Sequence, residues 1–381
     1  MKKKGKPVRI VLFLRSLEIG GAQTHAAMLA EYLDRAGPYA VQVWTFSARG
    51  LIAEALRAKG ITIVDVPEIP NDIVGKVVAL TRLIQRLRKA KPAILLPFCD
   101  YPNKLLGAIW EFTGAEACVW NQLDEGREVT GKFLEKRSLN RTSAFVANAV
   151  EGKSFLMRRF KVPAEKIRII HNGVRLEKPE LDRGGWRRKL RIPEQASLAV
   201  MVANFTPFKD QPTLLKAWRI VQERRWPRQR PILLLVGNVR QTEGELRALA
   251  GRLGLAKTVI FTGQVKDLSG LLLASDLGVF SSKREGMPYA VLSCMLARLP
   301  VVASDITGIR EALGPEYPYL VPPDDPAQFA EKIMEWIDHP DAGKKWIEAN
   351  HERASSLFSP EIMGKNYEEL FSELLGKRPL A

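Results

Sequence analysis

The sequence contains little cysteine. Its 381 residues include three cysteines, and Cys99, Cys118 and Cys294 lie far apart with no metal-like spacing. A disulfide framework or a cysteine-based metal site needs closer and more regular spacings. We therefore expect free thiols, a reducing compartment and no disulfide framework.

Long apolar runs are also missing. No stretch of about 20 apolar residues, the length that a bilayer-spanning helix needs, occurs in the chain. The start, MKKKGKPVRIVLFLRSLEIGG, only superficially resembles a secretory signal. Its apolar run VLFL is short, Arg15 follows at once, and no small-residue cleavage site is present. We interpret this run as a first buried strand and expect a cytoplasmic protein.

Acidic residues are too few to balance the basic ones. The chain has 58 Lys and Arg against 42 Asp and Glu, a net charge of +16. Residues 1–175 hold 29 against 16, and the remainder holds 29 against 26. The basic first half indicates an anionic partner: a membrane surface, a phosphorylated lipid or nucleic acid. No base-stacking motif, helix-turn-helix pattern or zinc signature accompanies the charge, so nucleic acid is disfavoured.

The basic residues of the first half form two clusters. Residues 76–91, KVVALTRLIQRLRKAK, combine apolar residues at helical spacing with five basic residues on other faces. A second cluster lies between Lys132 and Lys161. One interpretation is packed helices with solvated outer faces, and the other is contact with anionic lipid at the inner face of a membrane.

Apolar runs alternate with helical periods along the whole chain. This alternation is typical of a mostly parallel sheet covered by helices on both faces. Residues 171–195, rich in Gly and Pro, interrupt the alternation and indicate a linker. We therefore predict an α/β protein with two tandem Rossmann-like domains, 1–175 and 176–358, followed by a C-terminal helix over 359–381. Ligands of such sheets bind beyond the carboxyl ends of the strands, here in a cleft between the domains.

Two glycines follow the first predicted strand. Gly20 and Gly21 open a helix, and glycine permits an unusual turn and close approach of the backbone to a ligand. Their N–H groups would face a donor phosphate or a reacting sugar, unless the turn itself simply needs glycine. The pattern is not G-x-G-x-x-G, so a nicotinamide enzyme is disfavoured.

Two loops of the second predicted domain carry charged residues. Lys209 lies where the loop after the first strand turns into a helix, and its ammonium could neutralise a diphosphate leaving group. Glu285 lies just before a later helix, followed by Gly286, Met287 and Pro288. The first turn of that helix suits a phosphate, and the carboxylate beside it suits sugar hydroxyls. The alternatives are a solvated surface lysine and an ordinary βαβ unit with a surface glutamate.

The segment 281–313 resembles the donor-site signature of the retaining glycosyltransferases of family 4. It keeps Ser281 or Ser282, Glu285, Gly286, Met287, Pro288, Leu292, Met295, Pro300, Val301, Val302, Ala303, Asp305, Gly308 and Glu311. Three further elements are similar to family motifs: Gly20–Gln23 to GGAE or GGAQ, 203–210 to G-R-L-x-P-x-K-G, and 171–174 to P-N-G-V. The resemblance covers nearly the whole chain.

The resemblance implies a GT-B fold whose last helix packs back on the first domain. It implies no metal and no other cofactor. The donor, a UDP- or GDP-sugar, would be bound by the second domain together with Gly20 and Gly21. The implied donor-binding residues are Gly20, Gly21, Asn204, Lys209, Gly237, Gln264, Val265, Glu285, Gly286, Met287, Pro288 and Ser293, with Glu285 and Lys209 in the catalytic roles.

The chain departs from the family at three positions. Asn204 stands where the family has Arg, which weakens the donor clamp, and Arg240 could supply the missing charge. Ser293 replaces the second Glu, so bidentate ribose binding is lost. The family histidine that follows the predicted strand ending at Trp120 is absent. Asn121 or Gln122 could hold a sugar hydroxyl there, and Asp100 could contact the acceptor.

These observations predict a metal-independent, retaining transferase. It would move a sugar to a lipid-linked or cell-surface glycan acceptor, and the first domain would bind that acceptor. The alternative is a non-catalytic GT-B protein that binds sugar or nucleotide or activates another transferase, motivated by the three departures.

Overall fold

The computed structural model describes residues 6–123, 131–225, 231–238, 242–341 and 343–376. The chain divides into two compact units. The first unit comprises Met1–Gly173 and Ser359–Ala381, and the second comprises Val174–Phe358. The chain therefore passes from the first unit to the second after Gly173, whereas the sequence predicted this boundary after residue 175.

The first unit contains a seven-stranded parallel sheet in the order β3-β2-β1-β4-β5-β6-β7. Its central strand β1, the VRIVLFL run, has five consecutive buried residues, which fits a strand covered on both faces. The strands are β1 (Val8–Leu14), β2 (Tyr39–Thr45), β3 (Thr62–Asp65), β4 (Ile94–Pro97), β5 (Ala117–Gln122), β6 (Ala144–Ala147) and β7 (Ile167–Ile169).

Helices cover both faces of this sheet. They are α1 (Gly21–Ala36), α2 (Leu51–Ala58), α3 (Ile73–Ala90), α4 (Asp100–Ile109), α5 (Phe133–Arg141) and α6 (Val150–Phe160). Leu83 and Leu87 of α3 share a core with Leu105 of α4, and Leu139 of α5 packs on the core that contains Leu156 of α6. Helices α3 to α6 therefore lie on one face, and α1 packs against α2 away from them, as right-handed crossovers require.

The second unit contains a six-stranded parallel sheet in the order β10-β9-β8-β11-β12-β13. Its strands are β8 (Leu198–Val202), β9 (Ile232–Val236), β10 (Val259–Gly263), β11 (Leu277–Phe280), β12 (Val301–Ser304) and β13 (Leu320–Val321). Its helices are α7 (Arg183–Leu190), α8 (Gln211–Arg225), α9 (Glu243–Arg252), α10 (Leu268–Ala274), α11 (Tyr289–Leu296), α12 (Thr307–Leu313), α13 (Pro326–Asp338) and α14 (Lys344–Leu357). The strand order reverses between β8 and β11, which makes their carboxyl ends the switch point of the sheet.

The last helix, α15 (Pro360–Leu374), packs on α1 of the first unit. A Cβ on Gly364 would lie 2.1 Å from the Tyr32 ring, so glycine permits this close packing. Tyr32 Oη donates a hydrogen bond to Glu368 Oε2 at 2.7 Å. Within the described ranges, none of the helices combines the length and the apolar character that a bilayer span requires.

A buried hydrogen-bonded chain joins α1, β5 and α15. His25 Nδ1 lies 2.9 Å from Asn172 Oδ1, and His25 Nε2 lies 3.1 Å from Tyr367 Oη. Tyr367 Oη in turn donates to Asn121 Oδ1 at 2.7 Å. Burial lowers the pKa of His25 from 6.5 to about 4, so the ring is neutral at neutral pH. The His25 side chain of α1 is therefore a buried neutral group that contacts α15 through Tyr367.

A helix lies within the predicted linker 171–195. Helix α7 begins at Arg183, because the Asp182 side chain caps its start by accepting from Gly185 N at 2.6 Å. Helix α11 begins at Tyr289, with Pro288 as the preceding extended residue.

We predict that His25 makes the folded state sensitive to acid. The unfolded chain binds a proton at this residue below about 6.5, whereas the folded chain resists it until about 4. The free energy of unfolding should therefore fall by up to about 3 kcal/mol as the pH drops through this window. Urea denaturation at several pH values gives the free energy of unfolding as a function of pH. This free energy should depend less steeply on pH in His25→Gln than in the wild type. The exposed His339→Gln is the matched control, and equal slopes for both variants would contradict the prediction.

Candidate functional site

Two loops meet at the switch point of the second sheet. The loop after β8 ends in a short 3₁₀ turn, Pro207–Lys209, and the loop after β11 leads into α11. Ser281 Oγ donates to the Asp210 carbonyl at 2.8 Å, and Lys283 N donates to the Phe208 carbonyl at 2.8 Å. These bonds fix the loops against each other although they lie far apart in sequence.

An ion pair between Lys209 and Glu285 lies where these loops meet. Glu285 Oε1 accepts hydrogen bonds from Lys209 Nζ and from Ser282 Oγ, the latter at 2.7 Å. The Glu285 side chain is 8% exposed and that of Lys209 is 20% exposed. The structure thus brings together the two residues for which the family resemblance implied catalytic roles, and adds Ser282 as a third member.

Asp210 and Lys283 form a second charged contact beside the first. Asp210 adopts a left-handed conformation with φ 48°, which Asp tolerates better than most residues. Lys283 Nζ lies 3.5 Å from Asp210 Oδ2 and 2.6 Å from Asp324 Oδ1. Burial raises the pKa of the Asp210 carboxyl above its usual range. The sequence analysis did not predict this contact. The available signal was that Asp210 is adjacent to Lys209 and that Lys283 lies close to Glu285.

The loop after β11 ends at helix α11. Gly286, Met287 and Pro288 connect Glu285 to its first turn, and no side chain caps the helix. The positive end of the helix dipole therefore lies at this loop. Ser293 is buried on α11 and its Oγ donates to the Tyr289 carbonyl at 3.0 Å.

The remaining donor-side residues lie around β9 and β10. Asn204 Oδ1 accepts from Asn238 N at 3.2 Å, an orientation in which Nδ2 is the group available to a phosphate. A Cβ on Gly237 would lie 2.0 Å from the Ala203 carbonyl oxygen, so close loop packing explains this glycine. Gln264 and Val265 line a cavity of about 310 Å³ between α7 and β10. Arg240 lies outside the described residues.

The glycines of the first unit do not form an unusual turn. Gly20 precedes α1 with φ −170°, an extended conformation open to any residue, and Gly21 is the first helical residue. The expectation of a special backbone conformation is therefore wrong. A Cβ on Gly21 would meet nothing within 4 Å, whereas one on Gly20 would lie 2.4 Å from Gln23 Oε1.

The predicted acceptor residues differ in accessibility. Asp100 is the first residue of α4 and its carboxylate pairs with Lys104 Nζ at 2.6 Å. Lys104 also pairs with the buried Glu135 at 2.8 Å. Asn121 is fully buried and its Nδ2 donates to the Pro97 and Val119 carbonyls. Gln122 is nearly buried and accepts from Trp120 Nε1 at 2.9 Å. Their roles toward an acceptor stay predictions.

Two family models match complementary parts of the chain. Glycosyltransferase Family 4 matches residues 19–178, and Glycosyl transferases group 1 matches residues 182–353. The second match spans both switch-point loops. The first match ends and the second begins a few residues beyond Gly173, where the chain divides into two units.

Curated relatives match over about half of the chain. A D-inositol 3-phosphate glycosyltransferase of Streptomyces scabiei is 28% identical over 230 residues, 57% of this chain and 51% of the relative. An Escherichia coli UDP-Gal:alpha-D-GlcNAc-diphosphoundecaprenol alpha-1,3-galactosyltransferase is 28% identical over 181 residues, 46% of each chain. This chain thus spans about half the length of the curated relatives that it matches.

Solved structures match over nearly the full length. Anabaena HepE in complex with UDP and glucose superposes with a TM-score of 0.82 at 20% identity, covering 96% of this chain and all of that one. This likeness shows the fold, which is GT-B with two parallel-sheet Rossmann-like domains. With both family models matched, the chain belongs to the family 4 glycosyltransferases of group 1.

Proposed function

We propose that the protein is a retaining, metal-independent glycosyltransferase that takes a sugar from a UDP- or GDP-sugar. The Lys209–Glu285 pair at the switch point is the observation that carries this proposal. A nucleotide sugar needs a cation for its diphosphate and an acceptor of hydrogen bonds for its sugar hydroxyls. The pair offers both on two loops that are bonded to each other, beside the positive end of α11.

The ion pair suggests how the donor would engage this site. Without donor, Lys209 and Glu285 neutralise each other. A bound diphosphate would draw the Lys209 ammonium toward it, and the sugar hydroxyls would take its place on the Glu285 carboxylate. As the bond to the sugar breaks, negative charge grows on the departing diphosphate, and Lys209 and the α11 dipole stabilise it. The proposal uses no covalent nucleophile. The acceptor hydroxyl attacks the anomeric carbon from the face that the diphosphate leaves, forms the new carbon–oxygen bond and passes its proton to the departing diphosphate oxygen, so configuration is retained.

The other donor-side residues have supporting roles in this proposal. Gln264 and Val265 would contact the nucleotide from the loop after β10, and Asn204 would donate to a phosphate. Gly21 has open space where a side chain would lie, which supports approach of its backbone to the donor. The proposed donor site would also be shaped by Gly20, Gly237 and Ser293.

The proposed acceptor is a glycan or a polyprenyl-linked sugar held by the first unit. The name of the Escherichia coli relative, which includes a diphosphoundecaprenol substrate, supports the lipid-linked alternative. Asp100 would contact the acceptor, with Asn121 and Gln122 shaping the site beneath it. A lipid-linked acceptor would place the protein in the cytoplasm, peripherally at an anionic inner membrane face.

We expect Glu285→Gln to keep the fold and to lower turnover of the nucleotide sugar about 100-fold or more. The amide keeps the size of the side chain but loses the negative charge that polarises the sugar hydroxyls, and losses of this order are usual for one transition-state contact. Release of nucleoside diphosphate measures turnover. The exposed Glu316→Gln is the control. Near-normal turnover in Glu285→Gln would exclude the proposed role.

We expect Lys209→Ala to weaken binding of the nucleoside diphosphate product by about 1.5–3 kcal/mol, the usual cost of losing a charge-assisted hydrogen bond. Calorimetric titration with UDP and GDP measures this affinity directly. The exposed Lys257→Ala removes an equal charge elsewhere in the second unit. Unchanged affinity in Lys209→Ala would mean that this lysine only pairs with Glu285.

A non-catalytic sugar or nucleotide binder is the competing candidate. The Asn204 and Ser293 replacements favour it, because both remove a charge that the family uses. Both candidates predict that the correct nucleotide sugar raises the free energy of unfolding, by about 2.7 kcal/mol at 100 times its dissociation constant. Thermal unfolding with a panel of UDP- and GDP-sugars identifies that ligand. Tight binding without hydrolysis or transfer would then favour the binder.

A further inference from the structure

Charge is segregated between the two faces of the first sheet. The face covered by α3, α4, α5 and α6 carries twelve Lys and Arg but three Asp and Glu within those helices. The face covered by α1, α2 and α15 carries three Lys and Arg but seven Asp and Glu. Helix α3 alone holds five basic residues and no acidic one. The positive charge of the first unit is therefore concentrated on one side, called here the basic face.

Exposed apolar side chains lie along one edge of this basic face. Ile73 is 80% exposed, Val74 73% and Phe133 79%. Val77, Leu134 and Val150 are exposed by 41–60%. All six belong to the first two turns of α3, α5 and α6. We call this set the apolar rim.

The apolar rim lies at the carboxyl edge of the sheet. In a parallel sheet each connecting helix starts beyond the carboxyl end of its strand and runs back antiparallel to it. The first turns of α3, α5 and α6 therefore share one edge. Asp100, the first residue of α4, lies at the same edge.

Single exposed apolar residues are ordinary in folded proteins. Six of them on one edge, next to a positively charged face, indicate a binding partner that is both apolar and negatively charged. A second copy of the chain would bring two positive faces together, which charge repulsion opposes. An anionic bilayer matches both features: headgroups complement the Lys and Arg, and the acyl boundary accepts the apolar side chains.

We infer that the first unit docks on an anionic lipid bilayer through the basic face and inserts the apolar rim below the headgroups. This orientation presents the carboxyl edge of the sheet, with Asp100, to the membrane surface. The biological purpose of the docking rests on the proposed function, because a lipid-linked acceptor would be delivered at that edge. The docking itself is measurable without any sugar transfer.

The charge contribution is tested by reversing three exposed residues of α3. The three changes are Lys76→Glu, Arg82→Glu and Lys89→Glu. Three other arginines are left unchanged because their side chains hold the fold. Arg86 and Arg137 hydrogen-bond to backbone carbonyls, and Arg141 pairs with Glu111. Co-sedimentation uses phosphatidylcholine vesicles with and without phosphatidylglycerol. The triple variant should bind the anionic vesicles at least about tenfold more weakly. The control triple Lys178→Glu, Lys257→Glu and Lys365→Glu makes the same charge change elsewhere and should bind as wild type.

The insertion is tested by Val74→Gln with Phe133→Gln. The matched control is Leu273→Gln with Leu357→Gln, which changes two exposed apolar residues of the second unit. Salt screens the charge attraction but not apolar burial. Wild type and control should therefore retain some binding to anionic vesicles at high salt, and the rim variant should lose it.

Three results would overturn the inference: equal binding to neutral and anionic vesicles at low salt, an equal loss in either control, or unchanged salt-resistant binding in the rim variant. Glu285→Gln should bind vesicles as wild type. Failure of vesicle binding with intact donor turnover would reject only the docking, and the converse result would reject only the proposed transfer.

Discussion

The reversal of strand order between β8 and β11 is the constraint on which the candidate site depends. Parallel strands end at one edge, and helices leave this pair of ends in opposite directions, so two loops meet there with no helix between them. The Ser281 and Lys283 bonds then fix the backbones of these loops. Only because the loops are fixed can a buried glutamate face a lysine from a distant part of the chain. The Lys209–Glu285 pair follows from the topology as much as from the residues.

The sequence predicted the parts of this site that are encoded locally. A buried strand, a polar loop and a helix start are visible in a few consecutive residues, so Lys209 and Glu285 could be named as candidates, and the resemblance to the family then assigned them their roles. Partners across loops are not encoded in this way. The sequence could not distinguish Ser281 from Ser282, whereas the structure gives them different tasks: Ser282 binds the Glu285 carboxylate and Ser281 binds the Asp210 backbone. The left-handed Asp210 also depends on that packing.

Burial is the property that local sequence conveyed least well. Asn121 and Gln122 stand where the family has a histidine, and both were therefore predicted to hold a sugar hydroxyl of the acceptor. In the structure their side chains hydrogen-bond inside the first unit, and Asn121 belongs to the same chain of bonds as His25. Tyr367, which completes that chain, comes from the last helix, 246 residues away. No local pattern could have indicated that a C-terminal tyrosine satisfies an asparagine of β5.

The distribution of charge over the first unit depends on the topology of its sheet and cannot be obtained from the amino-acid composition alone. Counting along the sequence divides the protein into a basic half and a nearly neutral half. The fold divides it differently: α1 and α2 precede the reversal at β1 and lie on one face with α15, whereas α3 to α6 follow it and lie on the other. Right-handed crossovers leave no alternative once the strand order is set. Acidic and basic helices that alternate with strands in one continuous chain are thereby separated onto opposite faces. The field of the basic face is accordingly stronger than the net charge of the half-chain indicates, and it is directional.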